Sequence, residues 1–595
     1  MQRAYDRLAG VRGERARGVR VDIFGRGISG WIAKLFDDAT RTDRRAVLFL
    51  VALCLVGYLP GFAAIPPIDR TESRVALASQ RLIESDDPTY ARLGNGGHAR
   101  RVPGIHALQE AAVTLAQGIG VPDADRIIAV YRLPSLVAAI AAVLLTFWAG
   151  LALLSRRAAL LAATLLATCA ALMVEARLAR AEAVVLAATV AAMGAMARAY
   201  LATARRDDGT TPAATADWRL AAIFWGAIAF GLWAKGPMAL VYPALAALAL
   251  GIGDRSVRFL RPLAPLVGAP LLLALLAFWL WPQSVSTLPP DPATRDLIAR
   301  IGDAGDGFGA PPGAYLLAFW GSFWPAAPLA LLAVPVIWRA RRLVRVRFLL
   351  AWLVPAWLLL EMLPTKIPYL VLPTFPAVAL LIALAVQHGS AVVLANRRLA
   401  RALWAWPAVG ALIAVLALLA LAVFDRTTSL LAWPLLVAGF LALVVAVVFV
   451  TDYGVEKASL LAVAGMLVSG FGVMQLILPR MESAWVASRL VDLAEAETCA
   501  EGAGPLQFAS AGYAEPSFAF LMPGRLRFVN GTAAAEFLAG RGCRVVFVER
   551  RAENAFARRA DALGLSFERG ADISGYDYAA GRRLTISLYR ASGGW

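Results

Sequence analysis

Runs of apolar residues about as long as a hydrocarbon core is thick recur along the whole 595-residue chain, and they limit what it can fold into. A core of about 30 Å needs roughly 20 consecutive apolar residues as a helix. Thirteen stretches approach that length: 46–65, 130–153, 158–174, 183–201, 219–235, 237–252, 263–281, 314–337, 348–363, 370–388, 402–424, 429–450 and 458–478. Backbone groups that enter hydrocarbon must bond to one another, so each run is expected as a helix. The expected fold class is an α-helical polytopic membrane protein with about thirteen transmembrane helices. An apolar share of 59% and a mean hydropathy of +0.65 exclude an ordinary soluble multidomain protein.

The net charge of +17 does not imply nucleic acid. Much of the Lys and Arg lies in short loops between apolar runs, where it sets orientation. Arg156 and Arg157, Arg205 and Arg206, Arg255 to Arg261, Arg339 to Arg347, and Arg397 to Arg401 all follow even-numbered runs. They belong on the cytoplasmic side. Residues 1–45, with Arg3, Arg7, Arg12, Arg15, Arg17 and Arg20, form a basic cytoplasmic leader suited to anionic lipid and lack the core of a cleavable signal. The alternate loops then face outward: 66–129, 175–182, the Lys235 turn, 282–313, 364–369, 425–428 and everything after 479.

Three domains follow: 1–45; a transmembrane domain, 46–479, whose outer loop 66–129 carries surface helices; and 480–595. In the last, LQFASAGY, LRFVNG, CRVVFVER and LTISLYR read as short strands between helical stretches, a small α/β domain on the periplasmic side. Of the four cysteines, Cys54 and Cys169 lie in apolar runs. Cys499 and Cys543 lie in the outer domain, where a disulfide is chemically allowed. The three histidines are too scattered for a histidine metal site.

Chemistry is expected at the outer boundaries. IPPIDRTESRVALASQRLIES, Ile65 to Ser85, has apolar positions at helical spacing and acids at its start, Asp69 and Glu72. Those two acids also match an N-cap and its capping-box partner, a purely structural use. Arg74, Arg101, Glu182, Lys235 and Lys366 lie at similar depth in other outer segments. Each cation alone is explained by snorkelling toward headgroups. Acids and cations together on one side fit another use: cations hold a phosphate, and a carboxylate activates a hydroxyl.

Several stretches, in this order and topology, resemble the GT-C class of glycosyltransferases that use polyprenyl-phosphate sugars, a class that includes the lipid A aminoarabinose transferases and the protein O-mannosyltransferases. They are DRTESRVALASQRLIES, RRVPGIHALQEAA, YRLPS, ARLARAEA, AKGP, APPGAYLLAFWGSFWP, PTKIPYLVLPTFPAVALL, GYAEPSFAFL and GYDYAAGR. The resemblance implies transfer of a sugar from an undecaprenyl-type phosphate to a lipid such as lipid A, a glycan or a protein. It implies the periplasmic face of a bacterial inner membrane and inversion at the anomeric carbon. Asp69 or Glu72 would act as base or orient the acceptor, with Glu182 assisting. Arg74, Arg101, Lys235, Lys366 and Tyr369 would surround the donor phosphate. No metal is required if these cations supply the charge, although clustered carboxylates also suit Mg or Mn. The family's adjacent Asp-Glu pair is broken here, with Thr71 where the first acid belongs; its Lys-Pro element appears as Arg101 with Pro103 shifted by one; and Tyr369 stands where relatives place His. A transporter or lipid carrier would need ionisable groups deep within the spans, and an inactive scaffold would bind donor without turnover.

Overall fold

The computed structural model describes residues 28–68, 71–84, 90–93, 97–100, 104–204, 215–285, 308–389, 394–499, 505–577 and 581–592. Asp69, Arg101, most of loop 282–313 and the arginine-rich start of the leader lie outside them. The chain opens with α1 (Ile28–Ala39) and α2 (Asp43–Tyr58), followed by α3 (Thr71–Glu84) and a short antiparallel hairpin of β1 (Tyr90–Leu93) and β2 (Gly97–Arg100). Then come α4 (Ile105–Gly118), α5 (Ile128–Leu153), α6 (Arg156–Ala167), α7 (Ala170–Glu175), α8 (Glu182–Thr203), α9 (Trp218–Lys235), α10 (Met238–Asp254) and α11 (Pro265–Val285). The second half of the bundle holds β3 (Phe308–Gly309), α12 (Ala314–Ser322), α13 (Ala327–Ala340), α14 (Val344–Met362), β4 (Thr365–Lys366), a 3-10 turn (Pro368–Thr374), α15 (Phe375–Gln387), α16 (Ala405–Phe424), α17 (Ala432–Val448) and α18 (Val450–Phe471).

All thirteen apolar runs are helical over most of their length. Five described helices are long and apolar enough to cross a membrane unaided: Ile128–Leu153, Glu182–Thr203, Tyr369–Gln387, Arg397–Phe424 and Val450–Arg480. The pair α12 and α13, bent by 118°, adds a sixth if it is one span. Thirteen is therefore a count of apolar helical segments, and it exceeds the number that meet the length requirement. The shortfall has local causes. Residues 158–174 break at Thr168 and Cys169 between α6 and α7, and α2 ends at Tyr58. The continuous core runs through α5, α6, α8 and α15, whose small residues let the helices approach closely. Gly194 shows why: a methyl group there would strike the Trp148 ring.

Beyond the bundle lie α19 (Val486–Ala496) and an α/β domain. Its elements are β5 (Gln507–Ala511), α20 (Pro516–Leu521), β6 (Leu526–Val529), α21 (Gly531–Leu538), β7 (Arg544–Glu549), α22 (Arg550–Ala562), β8 (Phe567–Asp577) and β9 (Arg582–Ala591). The five strands run in the order β6-β5-β7-β9-β8, parallel from β6 to β7 and antiparallel beyond. Cys499 and Cys543 are joined in a disulfide across this domain. It docks on the bundle through α20: the Gln80 amide of α3 donates to the Phe520 carbonyl at 3.1 Å, and the Phe520 ring meets Tyr131 of α5 edge-on.

The two ends of the bundle differ. At the end away from the α/β domain, Arg156 pairs with Asp43 at 2.6 Å, Arg157 with Asp37 at 2.7 Å and Arg347 with Asp254 at 2.7 Å. These pairs are half exposed and contribute little to stability. The rim beside the α/β domain holds a different kind of chemistry.

Candidate active site

Four segments far apart in sequence meet at that rim: the start of α3, the start of α5, the turn 175–181, and the end of α9. Glu72 of α3 is fully buried. Its Oε1 accepts from Arg132 Nε at 2.7 Å and from the Ala179 N–H at 2.9 Å. Its Oε2 accepts from Arg132 at 3.0 Å and from the Ile68 N–H at 2.9 Å. Arg132, also fully buried, spends its remaining donors on the carbonyls of Phe62, Ile65 and Pro66. A carboxylate with four acceptor bonds has no lone pair left for a substrate hydroxyl. In this geometry Glu72 ties α3 to α5 and to the turn 175–181, and its bond to the Ile68 N–H falls one residue before the position that a capping box starting at Asp69 would use.

The turn 175–181 is held from three sides. Besides Ala179 on Glu72, the Gln109 amide of α4 donates to the Ala179 carbonyl at 3.1 Å, and the Ser135 hydroxyl of α5 donates to the Arg180 carbonyl at 2.7 Å. Fixing this backbone aims one side chain. Arg180 bonds the Glu175 carboxylate and lies 3.9 Å from that of Glu182. Lys235, at the last position of α9, donates to Glu182 Oε1 at 2.7 Å. The Tyr369 ring lies between both cations, with Arg180 at 4.9 Å and Lys235 at 4.5 Å from its centroid. Lys235 is the most open of the four charged groups, at 25% exposure against 7–11% for the others.

Two glycines place Lys235. Gly236 follows it at φ 94° and turns the chain into α10. Gly104, at φ 111°, opens α4 directly against the carbonyls of Trp233 and Ala234, where any Cβ would collide. Beneath them Ile105, Ala181, Val184 and Ala234 form an apolar floor joining α4, the turn, α8 and α9.

Of the expected site residues, the structure brings together Glu182, Lys235 and Tyr369. Arg74 is exposed on α3, and Asp69 and Arg101 lie outside the described residues. Lys366 is elsewhere engaged. It is buried, and its ammonium donates to the carbonyls of Leu360 at 3.1 Å and Leu363 at 2.7 Å, and to that of Glu361. Those carbonyls belong to the last turn of α14 and to Leu363 just beyond it, so the ammonium caps a helix terminus. Replacing Lys366 with Met is therefore expected to lower stability by about 2 kcal/mol. The donor KM should stay within twofold of wild type; a large rise in KM would restore Lys366 to the phosphate site.

Sequence reading left three rim residues out. Arg180 and Glu175 stood in the quoted segment ARLARAEA and its flank, without a role. Arg132 stood in YRLPS, 60 residues from its partner, and only the fold reveals that pair.

Among the described residues, no three His, Cys, Asp or Glu side chains gather at metal-ligating distance. The helices α12 to α15 line an apolar groove of about 540 Å³, in which Leu316, Val334 and Trp338 are exposed. Its lining begins at Leu316 and Phe319 and runs to Trp338 and Arg341. The neighbouring Tyr315 hydroxyl bonds the backbone of Ile367, two residues before Tyr369.

Comparison with known proteins bears on the fold and on one stretch of the sequence. Residues 121–264 match the family model for dolichyl-phosphate-mannose-protein mannosyltransferase. That range contains Arg132, Glu175, Arg180, Glu182 and Lys235. No curated protein matches the sequence. In fold the chain is similar to ArnT from Cupriavidus metallidurans bound to undecaprenyl phosphate, with TM-score 0.66 and 16% identity over 91% of this chain and 97% of that one. The apo form of the same protein superposes with TM-score 0.65 at 15% identity over the same shares. A looser likeness, TM-score 0.47 at 13% identity, covers 90% of this chain and 72% of the Archaeoglobus fulgidus oligosaccharyltransferase. The fold is similar to that of ArnT over nearly the whole of both chains. The family model and the fold together support the enzyme class, a membrane glycosyltransferase that draws on lipid-phosphate-linked sugars.

Proposed function

We propose that this protein transfers a sugar from a polyprenyl-phosphate donor to a hydroxyl acceptor at the rim beside the α/β domain, and that Lys235 and Arg180 hold the donor phosphate. The carrying observation is the convergence of two cations and one aromatic ring from three separate segments at one place. The apolar groove along α12 to α15 suits the isoprenoid chain, which gains from burial against apolar side chains. Chemically, the acceptor oxygen attacks the anomeric carbon while a carboxylate takes its proton. The bond from that carbon to the phosphate oxygen breaks, and the electron pair leaves on the lipid phosphate. The cations stabilise that growing charge, which is the term that most lowers such barriers. They supply it without a metal, so the rate should survive chelation.

With Glu72 committed to Arg132 and Glu182 to Lys235, the base we propose is Asp69, which in sequence lies two residues before the first residue of α3. Asp69→Asn is expected to reduce kcat about a hundredfold with donor affinity unchanged. A kcat within twofold of wild type would remove Asp69 from that role. The rim is assigned to the periplasmic face of a bacterial inner membrane. Support comes from the arginine-rich loops at the opposite end and from the Cys499–Cys543 disulfide, which favours an oxidising compartment. The acceptor is a lipid, glycan or protein, in keeping with the two families that the sequence resembles.

Transfer is tested in proteoliposomes with radiolabelled polyprenyl-phosphate sugars, with and without EDTA. Label moving to an extracted acceptor supports the enzyme. Tight donor binding with no transfer to any acceptor would favour a non-catalytic donor-binding protein, a reading to which Thr71 at the first acid position lends weight.

A further inference from the structure

The rim cluster carries an electrostatic difficulty that its own geometry resolves. Glu175, Arg180, Glu182 and Lys235 are two acids and two bases in mutual contact. With both acids ionised their charges sum to zero, and an anionic phosphate gains no net attraction from entering. Glu182 is matched by Lys235 at 2.7 Å. Glu175 is different. Its Oε1 takes Arg180, while its Oε2 is buried and has no hydrogen-bond partner among the described residues. A buried carboxylate oxygen without a donor is costly as an anion and comfortable as a hydroxyl.

We propose that Glu175 is a positioning residue that carries a proton when the donor binds, so that Arg180 is released to the phosphate and the cluster holds a net positive charge. This rests on the reading of Lys235 and Arg180 as the phosphate site and deepens it. Burial pushes the Glu175 carboxyl up to about 7, against the pull of Arg180, and the nearby Glu182 charge raises it further. The surroundings leave few rivals for that proton. Arg180 comes from the same turn, Glu182 from α8 and Lys235 from α9. The 3-10 turn adds the Tyr369 phenol, and α12 adds Tyr315, whose hydroxyl is bonded to Ile367. Arg132 of α5 is committed to Glu72, and Arg177 of the turn to the carbonyls of Gly57, Pro60 and Met173. The arginines of α6 pair at the opposite end.

The sign follows from the direction of the shift. A carboxyl raised above its ordinary value is neutral below that pH and charged above it. Donor affinity is therefore full near pH 6 and falls as pH rises past about 7, by up to tenfold per unit. The probe is a polyprenyl phosphoryl-mannose, a phosphodiester with no titration of its own in this range. Its Kd is measured from pH 6 to 8.5 on the full chain in nanodiscs, for wild type and for Glu175→Gln, which fixes the neutral form. The wild type is expected to weaken at least tenfold by pH 8.5, and the variant to bind equally well throughout. Infrared titration of the same wild-type sample should show a protonated-carboxyl band lost between pH 6 and 8, absent from Glu175→Gln. A flat wild-type profile, or a slope that persists in the variant, overturns the proposal. A wild type that binds no phosphodiester at any pH overturns the donor reading instead. A normal carboxyl titration in that sample would then show the proton present with no phosphate to serve.

Discussion

Replacing Lys235 with alanine is expected to lower kcat/KM for sugar transfer about a thousandfold while leaving the fold intact. The side chain is the most open of the four clustered charges, so little packing depends on it. Glu182, which it would leave, still has Arg180 at 3.9 Å. What is lost is a charge that meets the leaving phosphate as the sugar–oxygen bond breaks, a role worth about 4 kcal/mol of barrier at the upper end of single-donor deletions. Lys235→Arg should recover part of the rate, because the charge and the Tyr369 face contact survive. The check is steady-state transfer in proteoliposomes alongside thermal unfolding. A Lys235→Ala enzyme within fivefold of wild type would put the phosphate elsewhere.

Replacing Glu72 with alanine is expected to destabilise the protein by about 3–5 kcal/mol, the range for stripping one partner from a buried ion pair. Arg132 would be left charged and enclosed, and the N–H groups of Ile68 and Ala179 would lose their acceptor. The consequence for activity is indirect. Ala179 is the backbone anchor next to Arg180, so loosening it blurs the position of a phosphate ligand. Glu72→Gln keeps the shape and half of the bonding, and should sit between. Removing both partners as Glu72→Leu with Arg132→Met should restore stability relative to either single change, since the stranded charge is gone. Detergent-solubilised thermal unfolding checks each of them. If Glu72→Ala unfolds like wild type but transfers no sugar, Glu72 is a base after all.

How much of this was legible in the sequence depended on the range of the interaction. Apolar runs are local, and every one is helical over most of its length, though two of them are broken into a pair of helices. The α/β domain was readable through strands such as CRVVFVER, whose buried positions are nearly continuous. The missed strand, β8, has an exposed polar face over most of its length and gave no apolar alternation. Charged residues at the rim were visible as a class, yet their partners were not. Lys366 and Lys235 look alike in sequence, each beside a proline-containing turn. One is spent on the carbonyls closing α14 and the other faces Glu182 and Tyr369. Glu72 was singled out as chemistry, and its buried pairing with Arg132 was not legible, because that partner reaches it only across the fold. Arg180 was passed over because nothing local distinguishes it from Arg177, which caps the end of α2.

Equilibrium binding of polyprenyl phosphate to wild type, Lys235→Ala and Lys366→Met, in nanodiscs at one pH, decides where the lipid phosphate sits. The geometry described above predicts at least a tenfold weaker Kd for Lys235→Ala and an unchanged Kd for Lys366→Met. Equal binding by Lys235→Ala, or loss confined to Lys366→Met, would contradict it.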